Sequence, residues 1–191
     1  DITAPAPEKA HVVEIMGYQF AWDVRYPGKD NVLGDYDYRL INASNSHGID
    51  FTDKNSIDDF PSPKVVIPKG EPVLFKIRAR DVLHSVFAPH MRLKMDAVPG
   101  TPTTMWFTPK YTTKEMKEMT GNPNFVYEIS CDQLCGNGHY SMKGIIEVID
   151  QEEFDAVMAK QKPYYYTAFP EKDPSAAADT TVTAAVTKKI N

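Results

Sequence analysis

"KVVIPKGEPVLFKIRARDVLHSVFAP", residues 64–89, decides the fold class. Within it Val73, Phe75, Ile77 and Ala79 alternate with Leu74, Lys76, Arg78 and Arg80. A period of two sends one set of side chains inward and leaves the other face largely polar, which is the signature of a half-buried strand. Pro68-Lys69-Gly70 marks a turn ahead of it, and "DVLHSVFAP" continues as a second extended segment carrying His84. The same texture recurs on both sides. "HVVEIMGYQFAWDVRYPG" (11–28) is rich in β-branched and aromatic residues and reads as one strand ending at Pro27-Gly28. "TTMWFTP" (103–109), "NFVYEIS" (124–130) and "GIIEVID" (144–150) are further strands. In "NFVYEIS", Phe125, Tyr127 and Ile129 form the inward set, and Cys131 follows in phase with them.

Helical signals are few. Thr112 with Glu115 three residues on, and Gly121 beyond, frames a short helix over "TTKEMKEMTG". Asp150 with Glu153 opens another, with Phe154, Val157 and Met158 on one face. Between the first strand and Val65 lies a polar excursion rich in Asp, Asn and Ser, expected as an ordered loop in which Asp58-Asp59 is solvated. Many short strands, few helices and Pro/Gly turns predict an all-β antiparallel sandwich or barrel. The expected organisation is a linker over 1–10, a β domain over 11–150, a short helix within 151–162 and an extended tail over 163–191. In that tail Tyr164, Tyr165 and Tyr166 are read as packing residues.

Composition narrows the function. A chain of 191 residues can build a real core, and its formal charge of -5 argues against nucleic acid as the main partner. No stretch approaches 18 consecutive apolar residues, the length at which a spanning helix becomes a candidate.

The chemistry concentrates in "CDQLCGNGHYSM", residues 131–142, which holds both cysteines of the chain. The pattern is Cys-x3-Cys-x3-His-x2-Met. The two cysteines alone are as consistent with a disulfide as with a metal site. Zinc prefers four Cys or His ligands, and only three such donors are local. Thiolate, imidazole and thioether together are instead a copper set. A mononuclear blue-copper site uses one Cys, so the second would be surplus. Two thiolates four residues apart on one loop can each touch two metals, which makes a dinuclear site economical. Such a site needs a second imidazole from elsewhere. His84 at its strand end is the best candidate, His90 the rival, and His11 and His47 have weaker contexts. Met91, Met95, Met116 and Met119 are read as core filler or surface.

"DVLHSVFAPHMRLKMDAVPG", followed some thirty residues on by "CDQLCGNGHYSM", resembles cytochrome c oxidase subunit II, the family with the dinuclear copper centre called CuA. The similarity covers roughly residues 11–150. It implies a cupredoxin-like Greek-key sandwich. It implies Cys131 and Cys135 as bridging thiolates, His84 and His139 as imidazole ligands, Met142 as a weak thioether ligand and the backbone carbonyl of Gln133 as the last donor. It also implies electron transfer from a c-type cytochrome to haem in a membrane-embedded subunit I, among other oxidase subunits, where oxygen is reduced to water. The location implied is the extracytoplasmic face of a respiratory membrane, with two N-terminal transmembrane helices ahead of the copper domain that this sequence lacks.

Two departures from the family pattern matter. Where the family has a Glu that helps hold magnesium, this chain has Gln133, and a neutral amide is a poor partner for that hard dication. Where the family has Gln-Trp-x-Trp, with the first Trp taken as the point of electron uptake, this chain reads Gln19-Phe20-Ala21-Trp22, which leaves Phe20, Trp22 or another surface residue as the candidates. Two other readings stay open on sequence: the similar copper domain of nitrous-oxide reductase, which usually has aromatic residues between the cysteines where this chain has Asp132-Gln133-Leu134, and a non-redox, disulfide-bonded sandwich that binds a partner.

Overall fold

The structure, a computed structural model, describes residues 1–174. Two five-stranded sheets face each other. The first is built from β1 (His11–Tyr18), β2 (Ala21–Tyr26), β3 (Phe60–Ser62), β5 (Val73–Ala79) and β8 (Thr103–Phe107), in the order β3-β2-β1-β5-β8. The second takes β4 (Val65–Pro68), β6 (His84–Ala88), β7 (Leu93–Ala97), β9 (Tyr127–Cys131) and β10 (Lys143–Ile149), in the order β4-β10-β9-β6-β7. The alternation read in β5 is real: Val73, Phe75 and Ile77 are fully buried. They join Val13, Ile15 and Met105 of their own sheet, and Val86, Ile129, Ile146 and Val148 of the facing one, in a single core. Removing that apolar surface from water, at about 25 cal/mol per Å², is what holds the sheets together.

Several local expectations give way. The sheets are mixed, not purely antiparallel, because β1 pairs parallel with β5 and β4 parallel with β10. Residues 11–28, expected as one strand, divide at Gln19-Phe20 into the antiparallel pair β1 and β2, with Tyr18 opposite Ala21. No Gly or Pro marks that reversal, so the β-prone sequence conceals it. Helix α1 (Thr113–Thr120) has the anticipated reciprocal cap between Thr112 and Glu115, with Gly121 in the left-handed conformation at its end. Helix α2 (Gln151–Met158) starts after Asp150, but the Asp150 side chain makes no capping hydrogen bond. The segment from Pro163, expected as extended, instead turns into α3 (Tyr164–Ala168). Its Tyr164, Tyr165 and the following Phe169 surround Phe51 at ring separations of 5.6–6.0 Å, so the tyrosines do pack. A 3-10 turn over Pro170–Lys172 follows, and the expected tail beyond residue 174 lies outside the described residues.

The excursion between β2 and β3 is ordered by charge. Glu14, Arg25 and Arg78 stand on the outer face of the first sheet and are all buried, because the excursion folds over them. Arg25 Nε donates to Glu14 at 2.9 Å and its Nη1 to Asp59 at 3.1 Å. Arg78 donates to both Glu14 oxygens at 2.9 Å, and His47 Nδ1 lies 3.0 Å from Glu14. Asp59, expected in a solvated loop, is fully buried. Burial alone would pull the Glu14 carboxyl up, but Arg25, His47 and Arg78 outweigh it and hold Glu14 well below the usual carboxylate range. For Asp59 the balance reverses: burial, offset only in part by Arg25 and the Gly34 N–H, pushes it up to about 7.

Candidate metal centre

Strand register builds the site before any side chain is considered. Strands β6 and β9 run antiparallel with Val86 opposite Cys131. Two residues back along β6 is His84, and the same register carries it opposite position 133, just past the end of β9. The Asp132 N–H donates to the Ser85 carbonyl at 3.2 Å, which extends the pairing by one step. Strands β9 and β10 pair Ser130 with Lys143, so Met142 lies beside Cys131, and the Cys131 N–H donates to the Met142 carbonyl at 3.2 Å. His139 opens a single 3-10 turn over 139–141 that returns the chain to β10. The in-phase reading of Cys131 holds: it is buried with Tyr127 and Ile129.

The structure brings six expected donors together at one end of the sandwich. The sulfurs of Cys131 and Cys135 are 3.8 Å apart and both thiols are free. His84 Nδ1 lies 3.8 Å from Cys131 Sγ, and His139 Nδ1 lies 3.6 Å from Cys135 Sγ. Met142 Sδ is 3.9 Å from Cys135 Sγ, and the Gln133 carbonyl oxygen is 3.2 Å from Cys131 Sγ. One imidazole therefore abuts each sulfur. The ligand-bearing atoms of His84, Cys131 and Cys135 all fall within 4.8 Å of one another. Metal–thiolate bonds run at about 2.3 Å, so two sulfurs at this separation leave room for an ion bonded to both. The donor set fits soft, thiophilic copper rather than calcium or magnesium, which take oxygen ligands.

Electrostatics agree with a site completed from outside. Burial, helped by the adjoining Cys131 thiol, pushes the Cys135 thiol up to about 11. A metal taken up here must displace thiol protons. His84 is fully buried, and its Nε2 is held 2.9 Å from Asp81 Oδ1. That contact leaves Nδ1 as the nitrogen facing the sulfurs, the arrangement by which an outer carboxylate orients a ligating imidazole.

The remaining histidines are elsewhere. His90 packs edge-on against Phe125 at 4.9 Å, His11 against Phe154 at 5.0 Å, and His47 belongs to the Glu14 network. Trp22 packs on the Cys131, Cys135 and Met142 cluster, with its ring 6.0 Å from that of His84. Phe20 is 38% exposed and lies over the metal loop, so close to Gly138 that a Cβ there would stand 2.5 Å from its ring. A Cβ at Gly17 would meet Trp22 at 2.9 Å and His84 at 3.0 Å. Sequence reading missed Gln19, Asp81 and these glycines. Asp81, three residues before His84, was the one with a legible signal.

A two-sheet sandwich carrying thiols, imidazoles and a thioether on the loops at one end has a cupredoxin-like architecture. The chain belongs to the cytochrome c oxidase subunit II family: residues 11–149 match the family described as "Cytochrome C oxidase subunit II, periplasmic domain". It is 35% identical over 165 residues to an alternative cytochrome c oxidase subunit 2 of Bradyrhizobium diazoefficiens, covering 85% of this chain and 54% of that protein. It is 29% identical over 151 residues to a heme-copper oxidase subunit 2 of Aeropyrum pernix, covering 79% and 49%. The chain thus spans about half the length of these relatives. Its fold is similar to the crystal structure of the periplasmic domain of subunit II (CoxB) from Bradyrhizobium japonicum, at a TM-score of 0.53 and 20% identity, covering 81% of this chain and 95% of that one. Among the described residues no helix is long and apolar enough to cross a membrane.

Proposed function

We propose that this chain is the electron-accepting domain of a haem-copper oxidase, holding a dinuclear CuA centre between the loops at the end of the sandwich. In this reading Cys131 and Cys135 would hold the copper as thiolates, His84 and His139 would each supply one imidazole, and Met142 and the Gln133 carbonyl would complete the set as weak donors. The observation that carries the reading is the convergence of those six donors, with one imidazole beside each sulfur. A bound copper pair would supply a one-electron couple whose charge is shared over two metals. The protein's part is to keep the donors still. His84 and Cys131 are anchored at the ends of paired core strands, so ligand positions need move little when the charge changes.

Electrons come from a c-type cytochrome and pass to haem in the membrane-embedded subunit I, where oxygen is reduced to water; other oxidase subunits surround the pair on the extracytoplasmic face of a respiratory membrane. Phe20 and Trp22 are the proposed uptake path. Phe20 is exposed over the loop at Gly136 and Gly138, and Trp22 packs against the Cys131, Cys135 and Met142 cluster. Exposed Leu134 and Tyr140 extend an apolar rim that a weakly bound redox partner could leave quickly. Magnesium is not part of this proposal, since Gln133 offers no carboxylate. Membership in the subunit II family favours this reading over a nitrous-oxide reductase domain, and sulfurs 3.8 Å apart do not favour a disulfide-bonded module.

The test is rapid mixing of the copper-loaded chain with reduced c-type cytochrome. Oxidation of the cytochrome in step with bleaching of the copper absorption is expected, slowed at least several-fold in Phe20→Ala. A copper-loaded chain that no c-type cytochrome reduces would refute the proposed role.

A further inference from the structure

The loop that carries Cys135 is packed by its apolar and sulfur side chains but has few hydrogen bonds to the facing sheet among the described residues. Among the hydrogen bonds described for residues 133–137, one reaches the opposite sheet: the side-chain amide of Gln19 donates to the Cys135 carbonyl. A carbonyl can only accept, so the amide nitrogen must be the atom facing it. The Gln19 backbone N–H makes a second tie, donating to Asp81 Oδ2 at 2.8 Å. Asp81 uses its other oxygen on His84 Nε2 at 2.9 Å. One residue at the β1–β2 reversal is thus bonded to the backbone of one thiol-bearing residue and, through a single carboxylate, to an imidazole. The fit is close: a Cβ at Gly136 would stand 2.8 Å from Gln19 Nε2, and φ of +131° at Gly136 is a conformation that residues with side chains rarely adopt.

We propose that Gln19 is a positioning residue of the metal centre, fixing the Cys135 loop in register with the Asp81–His84 pair. The inference rests on the copper reading above. Without the amide the Cys135 peptide loses that tie and can shift, and the Cys135 sulfur shifts with it relative to His84. Gln19 is itself exposed, so its replacement removes little core packing.

The experiment uses the full chain with Gln19→Leu, which has no donor, and Gln19→Glu, which keeps the shape but presents an acceptor to the carbonyl. Three quantities are read: copper release into excess Cu(I) chelator, the visible and electron paramagnetic spectra, and the melting temperature of the metal-free protein. Outer-sphere supports are typically worth 10–100-fold in metal affinity, so release about 10-fold faster is expected in both variants, with altered copper hyperfine splitting and an unchanged metal-free melting temperature. Should Gln19→Leu fail to fold, Gln19→Glu carries the test. Wild-type release and spectra in the variants would overturn the inference alone. A wild-type chain that takes up no copper pair would overturn the copper reading and the inference with it.

Discussion

Two regions of this molecule bury polar side chains, and they do it in opposite ways. Under the excursion, Glu14, Arg25, Arg78, His47 and Asp59 answer one another: each charge faces an opposite charge or a hydrogen-bond partner within about 3 Å. At the end of the sandwich two thiols, two imidazoles, a thioether and a carbonyl converge without a charged side chain among the six, each 3.2–3.9 Å from a neighbouring sulfur. The first set pairs its charges within the chain, with His47 Nε2 and Asp59 Oδ1 left without hydrogen-bond partners, and acts on stability. The second consists of lone-pair donors pointing at common space, which is what a metal requires. A self-balanced cluster reads as architecture, and a one-signed cluster reads as a site.

That contrast can be broken at either end. The largest effect is expected at the sulfurs. His84→Ala should abolish the paired-copper spectrum, while His90→Ala, whose ring packs on Phe125, should leave it nearly unchanged; the electron paramagnetic spectra of the two variants decide which imidazole is the ligand. The next largest is at the network. Glu14→Ala strands Arg25 and Arg78 without their shared carboxylate, and breaking a buried pair in this way costs about 3–5 kcal/mol. Urea denaturation should show that loss in metal-free protein.

A subtler break uses pH. Asp59 is raised to about 7 in the fold, so its stabilising contribution is fully present below its ordinary pKa near 3.8 and is lost as pH rises through about 7. Glu14 is depressed, so its contribution is present above its ordinary 4.5 and is lost as pH falls towards its lower folded value. Thermal stability should therefore decline from about pH 5 to 7 in the wild type and level off above that, and the decline should flatten in Asp59→Asn. The smallest effect belongs to Lys94, whose ion pair with Asp132 borders the metal loop at 2.5 Å but is half-exposed. Lys94→Ala should leave the melting temperature and the copper spectrum nearly unchanged, because solvent screens an exposed pair.

The two regions also differ in how far the sequence revealed them. The convergence was legible because four of the side chains fall within twelve residues, and because the period-2 phase of Phe125, Tyr127 and Ile129 runs straight into Cys131. His84 stood out by its strand-end context and by the family pattern around it. The network was not legible. Its members lie on three strands and a loop, up to 64 residues apart, and Asp59 reads locally as one more acid in a polar loop. The hint was a lone Glu14, Arg25 and Arg78 in otherwise β-forming segments. Gln19 was hidden for a related reason: the reversal that exposes it has no turn residue, so it reads as mid-strand. The parallel pairings of β1 with β5 and β4 with β10 depend on which segments meet across the sheet, and periodicity does not encode that.

The central claim is that the converging donors hold a copper pair. Its most direct measurement is copper stoichiometry with the electron paramagnetic spectrum of the loaded, oxidised chain. Two coppers per chain and a multi-line signal from one electron shared over both are predicted. One copper with an intense blue band, or zinc with no colour, would contradict the account.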